Sequence, residues 1–507
     1  MHSEKPLRVR NRKQMFIDKR FVHSGRGVSL RMNRPRLEDV AVEPGPPGSW
    51  DDMSITGYGR VMEDEGIYRM WVRCHSVDRM VKRIARDDPV PKGNRLGYME
   101  STDGIHWRKP ELGLFEHAGS KDNNIAYVDA GYVFIDPNGP DVERYKLLVQ
   151  GRYLYDTREG GKPDPDKGGF YILTSSDGIR WTWHGNRVLP FLADTINQLE
   201  WDGRIGKYVA YVRTWPNGFR DGHYRYGRAV GRVEIDDCMC PWPHEKMKSP
   251  FASSDPSKRI VTISKEVPTV LEYPGYSEPG NWTDLYTAAV HQYTEAEDVY
   301  LAFPSFNNYF PDSDLLNHSV LDIGMAVSRD GIHWEWPSLD PYISRGEPGS
   351  GRSAALYMVY GVLKVDDAVY QYHNGSDIDH GVLSRVEPDR LYCASKIYRT
   401  VQRLDGFMSL DFQGSGGEIT TPLLDFTGGE LYLNVDASGG FGKVGIRDET
   451  GGFHPGYEVG ACDGIQSDSV SHKVTWNGDS RIKGLRDRPV RLCFRMSGAR
   501  LFSFQFQ

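Results

Sequence analysis

The stretch SRDGIHWEWP occupies residues 328–337, and its core, Ser-x-Asp-Gly-Ile-x-Trp, occurs twice earlier, as STDGIHW (101–107) and SSDGIRW (175–181). A catalytic motif is normally used once, whereas a phrase repeated along a chain is typical of stacked, equivalent structural units. The phrase therefore predicts a repeat architecture, in which Asp and Gly form a tight turn and each Trp is buried at the edge of its unit.

The spacing of the phrase indicates one unit in which it has degenerated. Asp103 and Asp177 are 74 residues apart, whereas Asp177 and Asp330 are 153 residues apart, close to twice that distance. The segment GRAVGRVEIDDCMCPW (227–242) lies where the missing copy is expected.

A second recurring element is an apolar hairpin with an acidic or Gly-containing turn and a returning strand that carries a tyrosine. The five hairpins span 55–74, 125–150, 196–213, 285–303 and 355–373, and their tyrosines are Tyr68, Tyr145, Tyr208, Tyr300 and Tyr370. Each hairpin is followed by another strand pair, so we expect five four-stranded sheets.

Repeated antiparallel sheets cannot bury their faces alone, and radial packing around an axis leaves few exposed edges. The sequence therefore predicts an all-β protein: a five-bladed β-propeller over residues 1–400 and a β-sandwich over residues 401–507. The alternating strands and Gly/Asp turns after residue 400 favour the sandwich. The strand QMFIDKRFV (14–22) is expected to close the ring by joining the last blade.

Composition excludes several classes of partner. The chain has 507 residues and a formal net charge of −7, without a basic patch for nucleic acid. It has no 18-residue apolar run and no signal-peptide h-region, so we expect no membrane partner and a cytoplasmic protein, although secretion after removal of a leader stays open. Six cysteines without a CxxC pattern predict reduced thiols and no metal site. The oligomeric state stays open.

Aligning the hairpins on their tyrosines gives candidate catalytic carboxylates at the entrances of the first strands. Asp52, Asp129 and Asp284 each lie sixteen residues before the tyrosine of their hairpin, and Asp194 lies fourteen before Tyr208. First strands of a propeller converge on its axis, so these four groups are expected to form an acidic ring suited to acid/base chemistry on a neutral polar substrate.

Groups suited to sugar binding lie near these carboxylates. Trp50 and Trp282 are candidates for sugar ring faces; Asn124, Asn197, Tyr286, Glu347 and Arg352 are candidates for polar contacts. Asp136 and Asp202, by contrast, fall in hairpin turns at the opposite end of the first strands and are predicted to be turn formers. No phosphate-binding loop, zinc-protease motif or nucleophile elbow occurs, and no cofactor is expected.

These features together resemble the glycoside hydrolases of families 32, 43 and 68, particularly the β-fructosidases of family 32. SWDDMS (49–54), AYVDAG (126–131) and ADTINQ (193–198) occupy the regions of that family's three carboxylate motifs. The resemblance implies hydrolysis or transfer of a furanosidic, fructose- or arabinose-containing unit of an oligosaccharide. It also implies that Asp52 is nucleophile or base, Asp129 stabilises an oxocarbenium-like transition state, and Asp194 is the general acid.

Two alternatives remain at this point. The SRDGIHW phrase is also similar to one in the mannoside phosphorylases of family 130, in which phosphate replaces water. It resembles the Asp-box of sialidases as well, but those proteins have six blades. A propeller that binds glycans without cleaving them is the alternative from another functional class.

Overall fold

The computed structural model describes residues 5–85, 94–151, 168–191, 193–216, 227–244, 266–275, 282–315, 317–485 and 488–507. Over these ranges the chain folds almost entirely into β-strands, which confirms the predicted all-β class. The described part contains one α-helix, α1 (Val77–Ala85), and 3₁₀ turns at Asp141–Glu143, Leu383–Arg385 and Pro388–Leu391. No helix in those ranges is long and apolar enough to span a membrane.

The N-terminal region contributes short strands that pair with strands far along the sequence. They are β1 (Leu7–Arg10), β2 (Gln14–Met15), β3 (Ser24–Arg26), β4 (Val28–Met32) and β5 (Arg36–Val42).

The next three sheets each contain four antiparallel strands that pair in sequence order. Blade one is β6 (Ser54–Asp64), β7 (Ile67–His75), β8 (Arg95–Ser101) and β9 (Ile125–Tyr127). Blade two is β10 (Gly131–Ile135), β11 (Tyr145–Gln150), β12 (Phe170–Ser175) and β13 (Thr182–Leu189). Blade three is β14 (Gln198–Asp202), β15 (Lys207–Thr214), β16 (Ala229–Ile235) and β17 (Thr269–Leu271).

Blade four is built from interrupted strands, and blade five contains a strand from the N-terminal region. Blade four comprises β18 (Thr283–Leu285), β19 (Val290–Gln292), β20 (Tyr300–Ala302), β21 (Ser305–Tyr309), β22 (Ser319–Ile323), β23 (Ala326–Ser328) and β24 (Trp334–Glu335). Blade five comprises β25 (Ala355–Met358), β26 (Leu363–Val365), β27 (Ala368–Ser376) and β28 (Lys396–Arg403), with β5 as its outer strand. The blades confirm the five-bladed propeller, and strand β6 of blade one contacts the first strands of blades two and five.

The closure of the ring differs from the prediction. Strand β5 pairs antiparallel with β28, from Arg36 opposite Val401 to Val42 opposite Ile397. Residues 14–22 do not join blade five, because β2 pairs instead with β36, the last strand of the chain. The expectation that QMFIDKRFV closes the ring was therefore wrong, because β5, further along the sequence, is the strand that closes it.

The C-terminal region forms two packed sheets around a separate apolar core. Its strands are β29 (Met408–Phe412), β30 (Gly417–Thr420), β31 (Leu424–Phe426), β32 (Leu431–Asp436), β33 (Phe441–Arg447), β34 (Asp468–Lys473), β35 (Arg491–Ser497) and β36 (Arg500–Phe506). The predicted sandwich is present. Strands β1 to β4, from the range 1–400, pair with strands of this region, and the boundary at residues 400 and 401 stays a prediction.

The repeated phrase forms the same turn in blades one, two and four. In blade four, the Ser328 hydroxyl accepts the N–H groups of Asp330 and Gly331 at 3.2 and 2.9 Å, and Asp330 Oδ1 accepts the next two N–H groups, both at 2.8 Å. Gly331 has φ +72°, which a side chain would strain. Ser, Asp and Gly are therefore fixed by the turn itself. Trp334 is only half-buried, as are Trp107 and Trp181, so the prediction of buried tryptophans was too strong.

The same turns join neighbouring blades. Each phrase presents its Gly carbonyl oxygen to an aromatic donor on the second strand of the preceding blade. Trp71 of blade one donates to Gly178 of blade two at 2.7 Å, and Tyr211 of blade three donates to Gly331 of blade four at 3.0 Å. Tyr372 of blade five donates to the equivalent glycine of blade one. The phrase therefore recurs because its turn makes a hydrogen bond at the interface between two neighbouring blades, which we call a seam.

The recurring hairpin tyrosines have a matching role. Tyr208 of blade three donates to Asp136 of blade two at 2.5 Å, and Tyr300 of blade four donates to Asp202 of blade three at 2.5 Å. Tyr145 makes the same contact with a carboxylate of blade one. Asp136 and Asp202 stand at the hairpin turns, as predicted. Each of these three seams thus buries a hydroxyl-to-carboxylate hydrogen bond, which is stronger than a neutral one.

The degenerate unit and the fifth blade vary this arrangement. In blade three, Asp237 follows β16 and accepts the N–H of Met239 at 2.8 Å, so the segment 227–242 holds the expected turn. In blade five, the turn residue Asp405 is fully buried and binds Lys13 at 3.0 Å and the Tyr293 and Ser503 hydroxyls at 2.8 and 3.0 Å. This carboxylate joins the propeller to the sandwich.

We expect Tyr208→Phe to destabilise the propeller by about 1.5–3 kcal/mol, because the substitution removes one charge-assisted hydrogen bond from the buried Asp136 and leaves it with Lys146 and the Asn138 N–H. The matched control is Tyr432→Phe, which removes a similar 2.9 Å contact to Glu430 on the surface of the sandwich and should cost at most about 0.5 kcal/mol. Calorimetric melting of both variants measures the difference. Equal effects of the two substitutions would show that the seam contact is not stabilising.

Candidate active site

A cavity of about 430 Å³ opens at the end of the propeller where the first strands begin. This volume lies within the range of small-molecule sites. All five blades contribute residues, and the polar and aromatic groups of its wall include Ser54, Thr56, Tyr58, Arg73, His75, Asp129, Asp194, Asn197, Tyr286, Tyr357, Asp379 and His380. The sequence forms this wall because Ser54, Thr56 and Tyr58 alternate along β6, so that every second side chain faces the cavity.

Two of the four predicted carboxylates lie on this wall. Asp129 precedes β10 and Asp194 precedes β14, so they occupy equivalent entrances of consecutive blades. Asp129 is buried to 7 % exposure, and its Oδ1 accepts the Ala130 N–H at 2.9 Å. The Asp194 side chain is 46 % exposed. The structure therefore brings this pair to one cavity.

Asp194 is held by a buried arginine. Arg213 Nη1 lies 2.8 Å from Asp194 Oδ2, while the arginine side chain itself is only 1 % exposed. The guanidinium also stacks 4.3 Å from the centre of the Tyr286 ring. A fixed cation at this distance favours the ionised form of Asp194.

The loop that carries Asp194 is shaped by Asn197. The Asn197 amide donates to the carbonyls of Ala193 and Thr195 at 3.0 and 3.1 Å, and its oxygen accepts the Arg213 N–H at 2.8 Å. Thr195 has φ +76°, a conformation that costs a β-branched residue about 1–3 kcal/mol. Asn197 therefore lies at the cavity as predicted, where it holds a strained loop in place.

Asp52 occupies a different position from the one expected. It does not line the cavity; it is buried to 4 % exposure, and its two oxygens accept the N–H groups of Gly48 and Val77 at 2.8 Å each. Val77 begins α1, so the carboxylate satisfies a free N–H at the positive end of that helix. Its geometry is that of a structural cap, because both oxygens are occupied by backbone N–H groups.

Asp284 is also directed away from the cavity. It is 1 % exposed and lies 3.3 Å from Arg228, while Asn307 and Tyr309 donate to it at 3.0 and 3.2 Å. Burial raises the pKa of Asp284 above its ordinary value, and Arg228 opposes that shift. The four-membered acidic ring is therefore not formed: blade four directs Tyr286, not a carboxylate, towards the cavity.

Most of the other predicted binding residues lie outside the cavity wall. Trp50 donates to the side chain of Asn124 at 3.1 Å within the core of blade one, so these two groups stabilise each other. Trp282 is 39 % exposed, Glu347 is exposed, and Arg352 stacks 5.5 Å from the Tyr398 ring. None of the five lines the cavity. Tyr286 does, as expected.

The sequence comparison of the hairpins missed a cluster on the opposite wall. The Tyr357 hydroxyl lies 2.9 Å from His380 Nδ1, and the imidazole packs 4.6 Å from the Tyr286 ring. Burial, together with Arg228 and Arg213, lowers the pKa of His380 to about 3. The imidazole is therefore neutral at pH 7 and suited to hydrogen bonding with hydroxyls. Tyr357 lies on β25, whose four residues are all buried and show no polar alternation, and His380 follows a strand and carries no repeat signal.

No group of three or more His, Cys, Asp or Glu side chains within the described ranges is arranged to hold a metal ion. The chemistry of the described wall is that of carboxylates, hydroxyls, imidazoles, amides, the Arg73 guanidinium and tyrosine rings.

Comparison with known proteins gives distant structural similarity only. No family model matches the sequence, and no curated protein matches it. The protein is similar to the solved structure of an N-acetylgalactosamine deacetylase from F. plautii in complex with blood group B trisaccharide, with 13 % identity, 75 % of this chain and 96 % of that chain covered, and a TM-score of 0.43.

Two further similar structures belong to glycoside hydrolase families. A family 43 arabinoxylan arabinofuranohydrolase from Bacillus subtilis in complex with cellotetraose has 12 % identity over 90 % of this chain and 96 % of that chain, with a TM-score of 0.36. A structure from work on family 130 mannoside phosphorylases and hydrolases of β-1,2 mannosidic linkages in Candida mannan has 12 % identity over 74 % and 94 %, with a TM-score of 0.40. These values carry no conclusion about the reaction, and neither structure belongs to family 32.

We expect Asp52→Asn to lower the melting temperature by several degrees while the kinetic constants change little, because the substitution weakens the cap of α1 and the loop at Gly48. Differential scanning calorimetry and a rate assay on the same preparation test this. Full stability with a lost rate would restore the catalytic role that the resemblance implied.

Proposed function

We propose that the protein is a glycoside hydrolase that cleaves an oligosaccharide in the propeller cavity. The observation that carries the proposal is the pair Asp129 and Asp194, presented by consecutive blades to one polar cavity. Hydrolysis of a glycosidic bond uses two carboxyl groups on either side of the bond: one protonates the leaving oxygen, and the other acts on the sugar carbon directly or through water.

The wall of the cavity suits a sugar. Tyr58, Tyr286 and Tyr357 supply flat apolar faces beside hydroxyl groups, and the Thr195 hydroxyl donates to Tyr58 at 2.9 Å. Sugars present both C–H faces and hydroxyl edges, so aromatic rings flanked by polar groups are complementary to them.

The geometry favours different roles from those implied by the resemblance. Because Arg213 stabilises the charged form of Asp194, Asp194 is better suited to act as nucleophile, base or stabiliser of positive charge than as proton donor. In our proposal Asp129, the more buried of the two, donates the proton to the departing oxygen. The glycosidic C–O bond breaks, the leaving group takes this proton, and water supplies the hydroxyl that replaces it while its remaining proton passes to a carboxylate of the pair.

The narrower proposal is that the sugar unit is furanosidic, containing fructose or arabinose. It rests on the family resemblance of the sequence, and it is tested by comparing arabinan and fructan oligosaccharides with β-mannosides. Release of sugar phosphate in the presence of inorganic phosphate would instead indicate phosphorolysis. Binding without turnover of any glycan would indicate the non-catalytic alternative.

Asp129→Asn and Asp194→Asn should each lower kcat/KM by at least about 100-fold, which is the usual loss when acid/base help is removed. Neither substitution should shift the melting temperature as much as Asp52→Asn. The control is Asp340→Asn, an exposed carboxylate with only a 3.7 Å contact to Arg34, which should leave the rate unchanged. Two variants with wild-type rates would contradict the proposed pair.

Substrates with leaving groups of different acidity separate the two roles. Loss of the proton donor matters little when the leaving group needs no proton, so Asp129→Asn should retain most of its rate on an activated aryl glycoside. Asp194→Asn should stay inactive on the same substrate. The reverse pattern would exchange the roles and restore Asp194 as the general acid.

A further inference from the structure

Arg73 presents an oriented guanidinium to the cavity. The residue lies on β7, the second strand of blade one, and lines the cavity wall. Its Nε donates to the Thr56 hydroxyl at 3.3 Å, and its guanidinium carbon lies 3.7 Å from the centre of the Tyr58 ring. The Nε atom and one face of the guanidinium thus have fixed contacts. The two terminal nitrogens, Nη1 and Nη2, remain as a planar pair of donors.

These terminal nitrogens have no protein partner within the described part of the chain. No carboxylate there lies within 4.0 Å of Arg73, and its side-chain hydrogen bonding there is confined to Nε. The neighbouring arginines differ in this respect. Arg213 is paired with Asp194, and Arg228 is paired with Asp284.

This difference between the arginines bears on the charge of the ligand that the cavity can bind. The two ion pairs compensate their own charges, whereas the positive charge of Arg73 is not compensated by an ion pair in the described ranges. A guanidinium that stacks on an aromatic ring and keeps two parallel donors matches a carboxylate, which accepts two parallel hydrogen bonds. Hydroxyl groups of a neutral sugar would leave the charge uncompensated.

We propose that the cavity is specific for an acidic glycan, in which the carboxylate of a uronic acid unit binds the two terminal nitrogens of Arg73. This inference rests on the proposed function of the cavity as a glycan site, and it names the substrate class. Arg73 acts as a specificity-determining residue. It lies on a blade without a catalytic carboxylate in the cavity, so it can hold a substituent of the sugar while Asp129 and Asp194 act on the linkage.

Binding of uncleavable ligands tests the proposal independently of turnover. Suitable probes are sulfur-linked oligosaccharides that contain glucuronic or galacturonic acid, compared by calorimetry with their carboxyl-reduced, neutral counterparts. The wild-type protein should bind the acidic member of at least one pair about tenfold more tightly or better, as expected for a charge-assisted bidentate contact.

Arg73→Gln should bring the ratio of the two affinities close to one, and Arg73→Lys should give an intermediate ratio, because lysine keeps the charge but not the paired donors. Arg180→Gln, which changes an exposed arginine bound to Asp177, should leave the ratio unchanged. Melting curves identify any variant that is misfolded, and Arg73→Lys keeps the test valid if Arg73→Gln is unstable.

Three outcomes would overturn the proposal: equal affinities for acidic and neutral ligands in the wild type, a preference that survives in Arg73→Gln, or Arg73-dependent binding of inorganic phosphate without binding of acidic sugars. Failure here is distinguishable from failure of the proposed reaction. Hydrolysis of neutral glycans without an acidic preference would remove only this inference, whereas Arg73-dependent binding without hydrolysis would remove only the reaction.

Discussion

The hydrogen bond from a tyrosine of one blade to a carboxylate of the preceding blade is the contact on which the rest of the propeller depends. Tyr208 and Asp136 show it most directly, with Lys146 beside the carboxylate at 3.2 Å. These contacts lie at the hairpin turns, at the opposite end of the first strands from the cavity. Because they fix the angle between neighbouring sheets there, the other ends of the strands are held apart, and the cavity between them stays open.

The five-bladed architecture was largely predictable because the contacts between blades are made by short stretches of sequence. A turn that needs Ser, Asp and Gly at set positions leaves the same residues in three units, and the returning strand of each hairpin carries a tyrosine in all five, so counting the hairpins yields the number of blades. Ring closure was less predictable, since β5 contains no such pattern. Its partner β28 is identified only by hydrogen bonding between strands that lie far apart in the sequence.

The site was only partly predictable, for a reason that Asp194 and Asp52 illustrate. Both precede a first strand, Asp52 sixteen and Asp194 fourteen residues before a hairpin tyrosine. Such an offset fixes the position of the backbone and not the direction of the side chain. Asp194 lies within a loop that Asn197 holds in a strained conformation, and it lines the cavity. Asp52 is drawn to the N–H groups of a helix that the repeat does not contain. Arg73 and His380 are brought to the cavity by the folded structure. Neither occupies a position that recurs along the sequence.

The pairing of β5 with β28 has a consequence for biosynthesis. During translation, Arg36–Val42 is synthesised early, and Lys396–Arg403 is synthesised only after four blades have been made. Until then the nascent protein is an open arc with two unpaired edges, and unpaired strand edges promote association with other chains. Closure also joins residues of large sequence separation, which slows folding. Exposure of strand edges before ring closure is therefore built into the topology of this chain, regardless of how stable the finished ring is.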